Sequence, residues 1–141
     1  MFGENIMIGN EQRSVDNKSR VILPDFCDAK KNDIVVIISK EDYIEIWSLE
    51  TFCKIMEKMK VDEFTYDDKL TAFIPFKNVK VDVSKRINLT SKLVDKYQLQ
   101  EGAHIEGKGA YIRIWNIGRF EDYKNNLEEV NYSHILTPKK D

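Results

Sequence analysis

Cysteine and histidine are scarce in this 141-residue chain, with two of each. Cys27 and Cys53 lie in separate apolar segments and form no C-x-x-C pair, so we expect two buried, free thiols in a reducing compartment. His104 and His134 are isolated from each other and from both cysteines. Since no metal-ligand spacing results, the sequence predicts no zinc site, no other metal and no cofactor.

Long apolar runs and a signal peptide are also missing. No segment approaches the roughly 20 apolar residues of a membrane-spanning helix, so we expect no membrane partner. The segment MFGENIMIGNEQR has an early acid, no basic opening and no small-residue cleavage site. These features predict a cytoplasmic protein.

Catalytic motifs are absent as well. The chain has no G-x-S-x-G elbow, and neither histidine has an obvious serine or cysteine nucleophile beside it. The stretch GKGAY lacks the upstream glycine and the following serine or threonine of a phosphate-binding loop, so it predicts a hairpin turn. We therefore expect no enzyme and no small-molecule substrate.

The charge distribution leaves room for a nucleic-acid partner. The hydrophobic fraction of 42% and the charged fraction of 33% are typical of soluble globular proteins, and the net charge is −2. Residues 77–92 nevertheless carry five cations and a single acid, whereas residues 57–68 carry an excess of acids. A local basic face can therefore coexist with an acidic total.

Two stretches of the chain are alike. VDNKSRVIL and VDVSKRINL place Asp16 and Arg20 at an offset of 66 from Asp82 and Arg86, and YIEIW recurs as YIRIW at an offset of 68. The two extra residues fall in a turn, as expected after a duplication. The sequence therefore predicts a tandem repeat.

Each copy predicts the same order of elements. After the Asp–Arg loop and a strand we expect a short helix, over Asp25–Lys31 in the first copy and Ser91–Tyr97 in the second. A hairpin of two strands follows, and the continuous apolar run DIVVIIS predicts a strand covered on both faces. Ser48 and Asn116 are candidate caps of a longer closing helix.

One copy alone buries only a modest core, so we expect the two copies to interleave about a pseudo-two-fold axis. Glu45 and Arg113 occupy matching positions with opposite charge. This match predicts that they approach each other near the axis. The alternative is two solvated side chains on an exposed strand face.

The stretches DNKSRVILP, IEIWSLETF, VDVSKRINL and IRIWNIGRFEDY together resemble MraZ proteins, which are bacterial relatives of the AbrB-type transition regulators. The resemblance extends from Met1 to about Leu127. It implies a mainly β, α+β fold: a double-split β-barrel of two tandem AbrB-type swapped-hairpin repeats. The repeats, residues 1–66 and 67–130, would form one intertwined domain, followed by a C-terminal tail over residues 131–141.

The resemblance also implies a function. It is that of a sequence-specific, DNA-binding transcriptional regulator, which acts as a ring-shaped homo-oligomer at the nucleoid. Its targets would be short direct repeats in double-stranded DNA, upstream of a division and cell-wall gene cluster. In the family, the Asp-x-x-x-Arg loops form the DNA-contacting surface.

Each residue of the loops has an expected task. An arginine at a turn can bind a phosphate or the O6 and N7 atoms of guanine, and a nearby aspartate can hold the loop in place. The alternative is a local salt bridge that only stiffens a turn. The predicted DNA-binding residues are Arg13, Lys18, Arg20, Lys80, Lys85 and Arg86, and the predicted loop-orienting residues are Asp16 and Asp82.

The chain departs from the family pattern at three positions. Ser19 and Lys85 stand where the family usually has glycine before the arginine, and Thr90 replaces the usual proline of the second copy. If the loop backbone needs positive φ, each non-glycine residue there costs about 1 kcal/mol.

Two other functions stay open for the same barrel. One is a protein-binding, antitoxin-like module, although Tyr132, Ile135 and Leu136 in the tail favour docking onto the body or a neighbouring subunit. The other is a divergent paralogue that keeps the oligomer without binding DNA, which the missing loop glycines favour.

Overall fold

The computed structural model describes residues 1–61 and 75–127, which form a mixed α+β fold of mostly antiparallel strands with three α-helices. The α+β prediction is confirmed. The strands are β1 (Asn10–Arg13), β2 (Arg20–Ile22), β3 (Ile34–Ser39), β4 (Ile44–Ser48), β5 (Pro75–Lys80), β6 (Arg86–Asn88), β7 (Ala103–Gly107) and β8 (Tyr111–Trp115). The α-helices are α1 (Leu49–Val61), α2 (Thr90–Tyr97) and α3 (Ile117–Leu127).

Strands from the two halves of the chain are interleaved in one sheet. Six of them form an antiparallel sheet in the order β1-β7-β8-β4-β3-β5, while β2 and β6 form a separate two-stranded ribbon. Four ladders, β1–β7, β2–β6, β3–β5 and β4–β8, join an element of the first half to one of the second. The expected boundary at residue 66 and the tail from residue 131 lie outside the described residues.

The strand registers follow a pseudo-two-fold relation. In the β4–β8 ladder Glu45 lies opposite Arg113, and Ile44 and Ile46 lie opposite Ile114 and Ile112. Because the sequence offset relates Ile44 to Ile112 and Ile46 to Ile114, rotation about the central pair exchanges the two strands. The β2–β6 ribbon obeys the same rule about its own central pair, Val21 and Ile87.

The core has a main part inside the sheet and a smaller part under α1. Val35, Ile37, Ile44 and Ile46 belong to the main cluster, whereas Val36, Ile38 and Trp47 form the second cluster with α1 residues. All four residues 35–38 are buried, which confirms that β3 is covered on both faces. The alternating pattern of YIEIW is confirmed too, since its isoleucines and Trp47 face different clusters.

Two charged side chains with little solvent exposure lie near the pseudo-two-fold axis of the β4–β8 ladder. Glu45 is only 5% exposed and accepts a hydrogen bond from Trp47 Nε1 at 3.1 Å, so the exposed-face alternative is wrong. Arg113 lies opposite Glu45 in register, but its Nη1 is 3.8 Å from Oε1 of Glu106, and its guanidinium lies 4.4 Å from the ring centre of Tyr43. The predicted approach of Glu45 and Arg113 is confirmed by the strand register, whereas the ion pair of Arg113 forms with Glu106 on β7.

The predicted helix over Asp25–Lys31 is wrong beyond Cys27. A single 3-10 turn, Asp25–Cys27, ends at Asp28, whose φ of 53° is left-handed. The equivalent α2 is a true helix because Leu93, Val94 and Tyr97 supply a buried stripe, which the shorter first copy lacks.

Both predicted caps of the longer helices are confirmed. Ser48 Oγ accepts the N–H of Thr51 at 3.0 Å, and Asn116 Oδ1 accepts the N–H of Arg119 at 3.1 Å. The expectation of two buried thiols is half right. Cys27 is buried, and burial raises the pKa of its thiol to about 12, whereas Cys53 is exposed on α1.

Candidate nucleic-acid interface

The first Asp–Arg loop is organised by one carboxylate. Asp16 Oδ1 accepts the backbone N–H groups of Lys18 and Arg20, both at 2.9 Å, and Oδ2 accepts Nε–H of Arg20 at 2.8 Å. The N–H of Ser19 also donates to the Asp16 carbonyl at 3.0 Å. The aspartate therefore holds both the turn and the arginine side chain.

The second loop repeats this geometry. Asp82 Oδ1 accepts the N–H groups of Ser84 at 2.8 Å and Arg86 at 2.9 Å, and Oδ2 accepts Nε–H of Arg86 at 2.8 Å. In both loops Nε is the atom that the aspartate binds, and the two Nη groups of each guanidinium carry the remaining donors.

These hydrogen bonds favour the charged carboxylates. The backbone N–H and then the guanidinium of Arg20 hold the pKa of Asp16 below its ordinary value of 3.8. At Asp82 burial alone would raise the pKa, but the hydrogen bonds from Arg86 and Ser84 outweigh it, and the pKa is again lowered. Both loops are therefore in their ordered, ionised form at neutral pH.

The residue before each arginine adopts the left-handed backbone conformation. Ser19 has φ 64° and Lys85 has φ 59°. The backbone thus has the positive φ that glycine adopts without cost, although neither position holds glycine. Thr90 has φ 70°, a conformation that the proline ring forbids, so the missing proline of the second copy also has a backbone reason.

The β2–β6 ribbon places the two loops side by side. Val21 and Ile87 are buried on its inner face, and alternation turns Arg20 and Arg86 to the outer face. The Nη1 atom of Arg86 lies 4.0 Å from Oδ2 of Asp16, so the second arginine reaches the first loop. The Arg20 and Arg86 side chains are 28% and 27% exposed.

The other predicted cations differ in their surroundings. Lys18, Lys80 and Lys85 are exposed, and Lys80 ends β5 two residues before the second loop. Arg13 is half-buried on β1, where its Nη2 lies 2.5 Å from Oε2 of Glu11. Glu11 offsets the charge of Arg13. Lys18, Lys85 and the two arginines, in contrast, belong to the Asp–Arg loops themselves.

Four uncharged residues of this surface escaped prediction. Asn17 and Val83 occupy the same position in the two loops, directly after each aspartate, and both are exposed. Ile22 and Asn88 share the outer face of the ribbon with the arginines. Their signal was available, since they are among the positions at which the two repeats differ in chemistry.

The described residues contain no candidate metal cluster and no candidate membrane-spanning helix. Within residues 1–61 and 75–127, no group of three or more His, Cys, Asp or Glu side chains could hold a metal ion. None of the helices in these ranges is long and apolar enough to cross a membrane.

Comparison with known proteins identifies relatives of this chain. The family model described as "MraZ protein, putative antitoxin-like" matches residues 6–74. A protein of Acetivibrio thermocellus named transcriptional regulator MraZ is 27% identical over 84% of this chain and 86% of its own length. Proteins of the same name from Thermoanaerobacter sp. and Mycoplasmopsis pulmonis are 24% and 22% identical over 92% of this chain, and over 94% and 91% of their own lengths. The predicted resemblance to the MraZ family is therefore confirmed.

Proposed function

We propose that this chain is a sequence-specific, DNA-binding transcriptional regulator that works in the cytoplasm at the nucleoid. The observation that carries the proposal is the pair of equivalent Asp–Arg loops held together on one ribbon, with Arg86 4.0 Å from Asp16. The relatives are named as transcriptional regulators, a class that is not enzymatic, in agreement with the absence of catalytic motifs.

The chemistry of the loops suits a DNA duplex. A two-stranded ribbon fits the width of the major groove, where arginine binds guanine O6 and N7 through two donors. Lys18, Lys80 and Lys85 would contact phosphates, which position the protein without reading sequence. Asp16 and Asp82 orient the arginines, because a carboxylate that faced the phosphates would be repelled.

The proposal includes a ring-shaped homo-oligomer and a double-split barrel. One protomer offers few cations, so it should bind DNA weakly. Several protomers on short direct repeats, upstream of a division and cell-wall gene cluster, would gain from effective concentration. The interleaved β4–β8 and β2–β6 ladders support a barrel of two swapped hairpins, with repeats over residues 1–66 and 67–130.

A mobility-shift assay tests the loop assignment. DNA from upstream of the chain's own gene is titrated at several salt concentrations with the wild type, Arg20→Ala and Arg86→Ala. Each substitution should weaken binding by about 1–3 kcal/mol at every salt concentration, the value of one lost bidentate guanine contact. Arg119→Ala is the matched control, since Arg119 is an exposed cation on α3 that pairs with Asp42.

Binding that neither loop substitution changes would contradict the assignment. A protein-binding, antitoxin-like module on the same barrel is the second candidate, because the matching family model carries that description. A divergent paralogue without DNA binding is less well supported. Ser19 and Lys85 keep the loop conformation despite the missing glycines.

A further inference from the structure

The outer face of the β2–β6 ribbon has one apolar end. Ile22 lies opposite Arg86, and the N–H of Leu23 donates to the Lys85 carbonyl at 2.8 Å, so the end of β2 adjoins the second loop. That loop exposes Val83. Ile22 is 49% and Val83 is 76% exposed. We call Ile22 and Val83 the apolar end.

The other end of the ribbon carries amides at the equivalent positions. Asn88 lies opposite Arg20, and the N–H of Leu89 donates to the Ser19 carbonyl at 2.8 Å. Asn17 occupies the position in the first loop that Val83 occupies in the second. The two ends thus share a backbone and a central arginine but differ in the side chains around it.

Exposed aliphatic side chains beside cations need an explanation on a surface that is proposed to meet DNA. Asp82 precedes Val83 in the chain, and Lys85 and Arg86 follow it. A purely apolar partner would therefore leave these charges desolvated. A DNA duplex offers phosphates to the cations and an apolar group between them. In the major groove that group is the C5-methyl of thymine.

We propose that Val83 and Ile22 determine sequence specificity by contacting thymine methyl groups in the major groove. The inference rests on the proposed DNA-binding function and names the base chemistry that the second loop reads. Arg86 would anchor the apolar end. The amide end around Arg20 would contact polar groups on the base edges.

Replacement of thymine by deoxyuridine tests the proposal, because it removes the methyl group and leaves every hydrogen-bonding atom in place. Fluorescence anisotropy compares the full chain on two duplexes of the same upstream DNA, one with thymine and one with deoxyuridine throughout. The wild type should bind the thymine duplex more tightly, by about fourfold for each methyl group that it buries.

A double variant, Val83→Asn with Ile22→Asn, converts the apolar end into a copy of the amide end. The first loop already carries asparagine at the position of Val83, so the loop geometry accepts it, and circular dichroism checks the fold. This variant should bind both duplexes equally. Ile8→Ser is the matched control: Ile8 is 75% exposed, lies before β1 at the end away from the first loop, and should leave the thymine preference intact.

The outcomes separate the two claims. Equal binding of both duplexes by the wild type overturns the inference and leaves the proposed function in place. A thymine preference that survives in the double variant would report duplex shape and also overturns the inference. If the wild type binds neither duplex, the proposed function fails together with the inference.

Discussion

Arg86 of the second loop lies 4.0 Å from the carboxylate of Asp16 in the first loop. Asp16 Oδ2 already accepts Nε–H of Arg20 at 2.8 Å, so one carboxylate faces the guanidinium groups of both repeats. The two loops are therefore one electrostatic unit, and a change in the first loop reaches the second.

Asp16→Asn should weaken DNA binding more than Asp82→Asn. Each substitution removes a charge-assisted hydrogen bond to an arginine, for which we expect roughly a tenfold loss of affinity. Asp16→Asn also removes the acid that faces Arg86, so its loss should be larger. Anisotropy titrations of both variants measure the difference, and equal losses would show that the loops act independently.

Acid should disorder the loops. Both aspartates have a pKa below the ordinary value of 3.8 in the folded chain, so their contribution to loop order is present above that value and is lost as the pH falls below it. NMR titration of the side-chain carboxyl carbons should show both pKa values below 3.8. A value above 3.8 for either aspartate would contradict the hydrogen-bonded geometry.

Ser19→Gly should stabilise the protein. Glycine relieves the left-handed strain at φ 64° but adds freedom to the unfolded chain, so we expect a net gain of about 0.5–1 kcal/mol in the free energy of unfolding. Lys85→Gly, at φ 59°, should gain as much stability while losing DNA affinity, because it removes a cation. Urea unfolding measures both changes.

Ser84→Gly is the matched control for the left-handed positions. Ser84 lies in the same loop and is exposed, but its φ is not positive, so glycine there only adds freedom to the unfolded chain. The Ser84→Gly variant should therefore be less stable than the wild type. A gain equal to that of Ser19→Gly would remove the explanation by backbone strain.

Removal of Arg113 should destabilise the fold. Arg113→Met leaves the buried acid Glu106 without its cation, which typically costs about 3 kcal/mol. Arg113→Lys keeps the charge but loses the planar contact with Tyr43, so its loss should be smaller. Unfolding in urea compares the variants, and a stable Arg113→Met protein would show that the charges are not coupled.

Stability should fall in mild acid because of His104. Its Nε2 lies 3.0 Å from Oδ1 of Asn10 and its ring stacks on Phe120. Burial lowers the pKa of His104 below 6.5, although Glu106 and Glu121 oppose the shift. The unfolded chain therefore binds the proton more readily, so this stability is present above pH 6.5 and is lost as the pH falls below it.

Urea unfolding at pH 7.5 and pH 5.5 checks this expectation. His104→Gln keeps a hydrogen-bonding side chain that does not titrate, so its stability should change less between the two conditions. If the wild type and the variant lose the same free energy of unfolding, another group is responsible.

The repeat made much of the fold predictable. The offsets of 66 and 68 residues located the equivalent strands, and the alternation in YIEIW gave the correct faces. Burial of Glu45 was not predictable, because it depends on packing of α1 and β8 onto β4. The partner of Arg113 was also missed, since Glu106 reaches it from β7, a strand that the β4–β8 match does not involve.

Local sequence patterns predicted the secondary structure less well where two structural tendencies compete. Asp25–Lys31 has residues that suit a helix, but too few apolar ones to bury a stripe, and Asp28 ends the turn. In the loops, the Asp–Arg spacing indicated the salt bridge, whereas the link from Arg86 to Asp16 comes from the ribbon register. Which polar and apolar residues flank the arginines could be read from the repeat, but their meeting on one face required the β2–β6 pairing.

The pairing of β2 and β4 with their own counterparts, β6 and β8, has an evolutionary consequence. In a symmetric homodimer every substitution changes both halves at once, so the two DNA-facing ends stay identical and suit an inverted repeat. In this chain the halves are encoded separately, and Asn17 could diverge from Val83 without any change at the other end. Separate encoding of the two halves thus gives the ribbon a head and a tail, which is the polarity that the proposed direct-repeat operators would require.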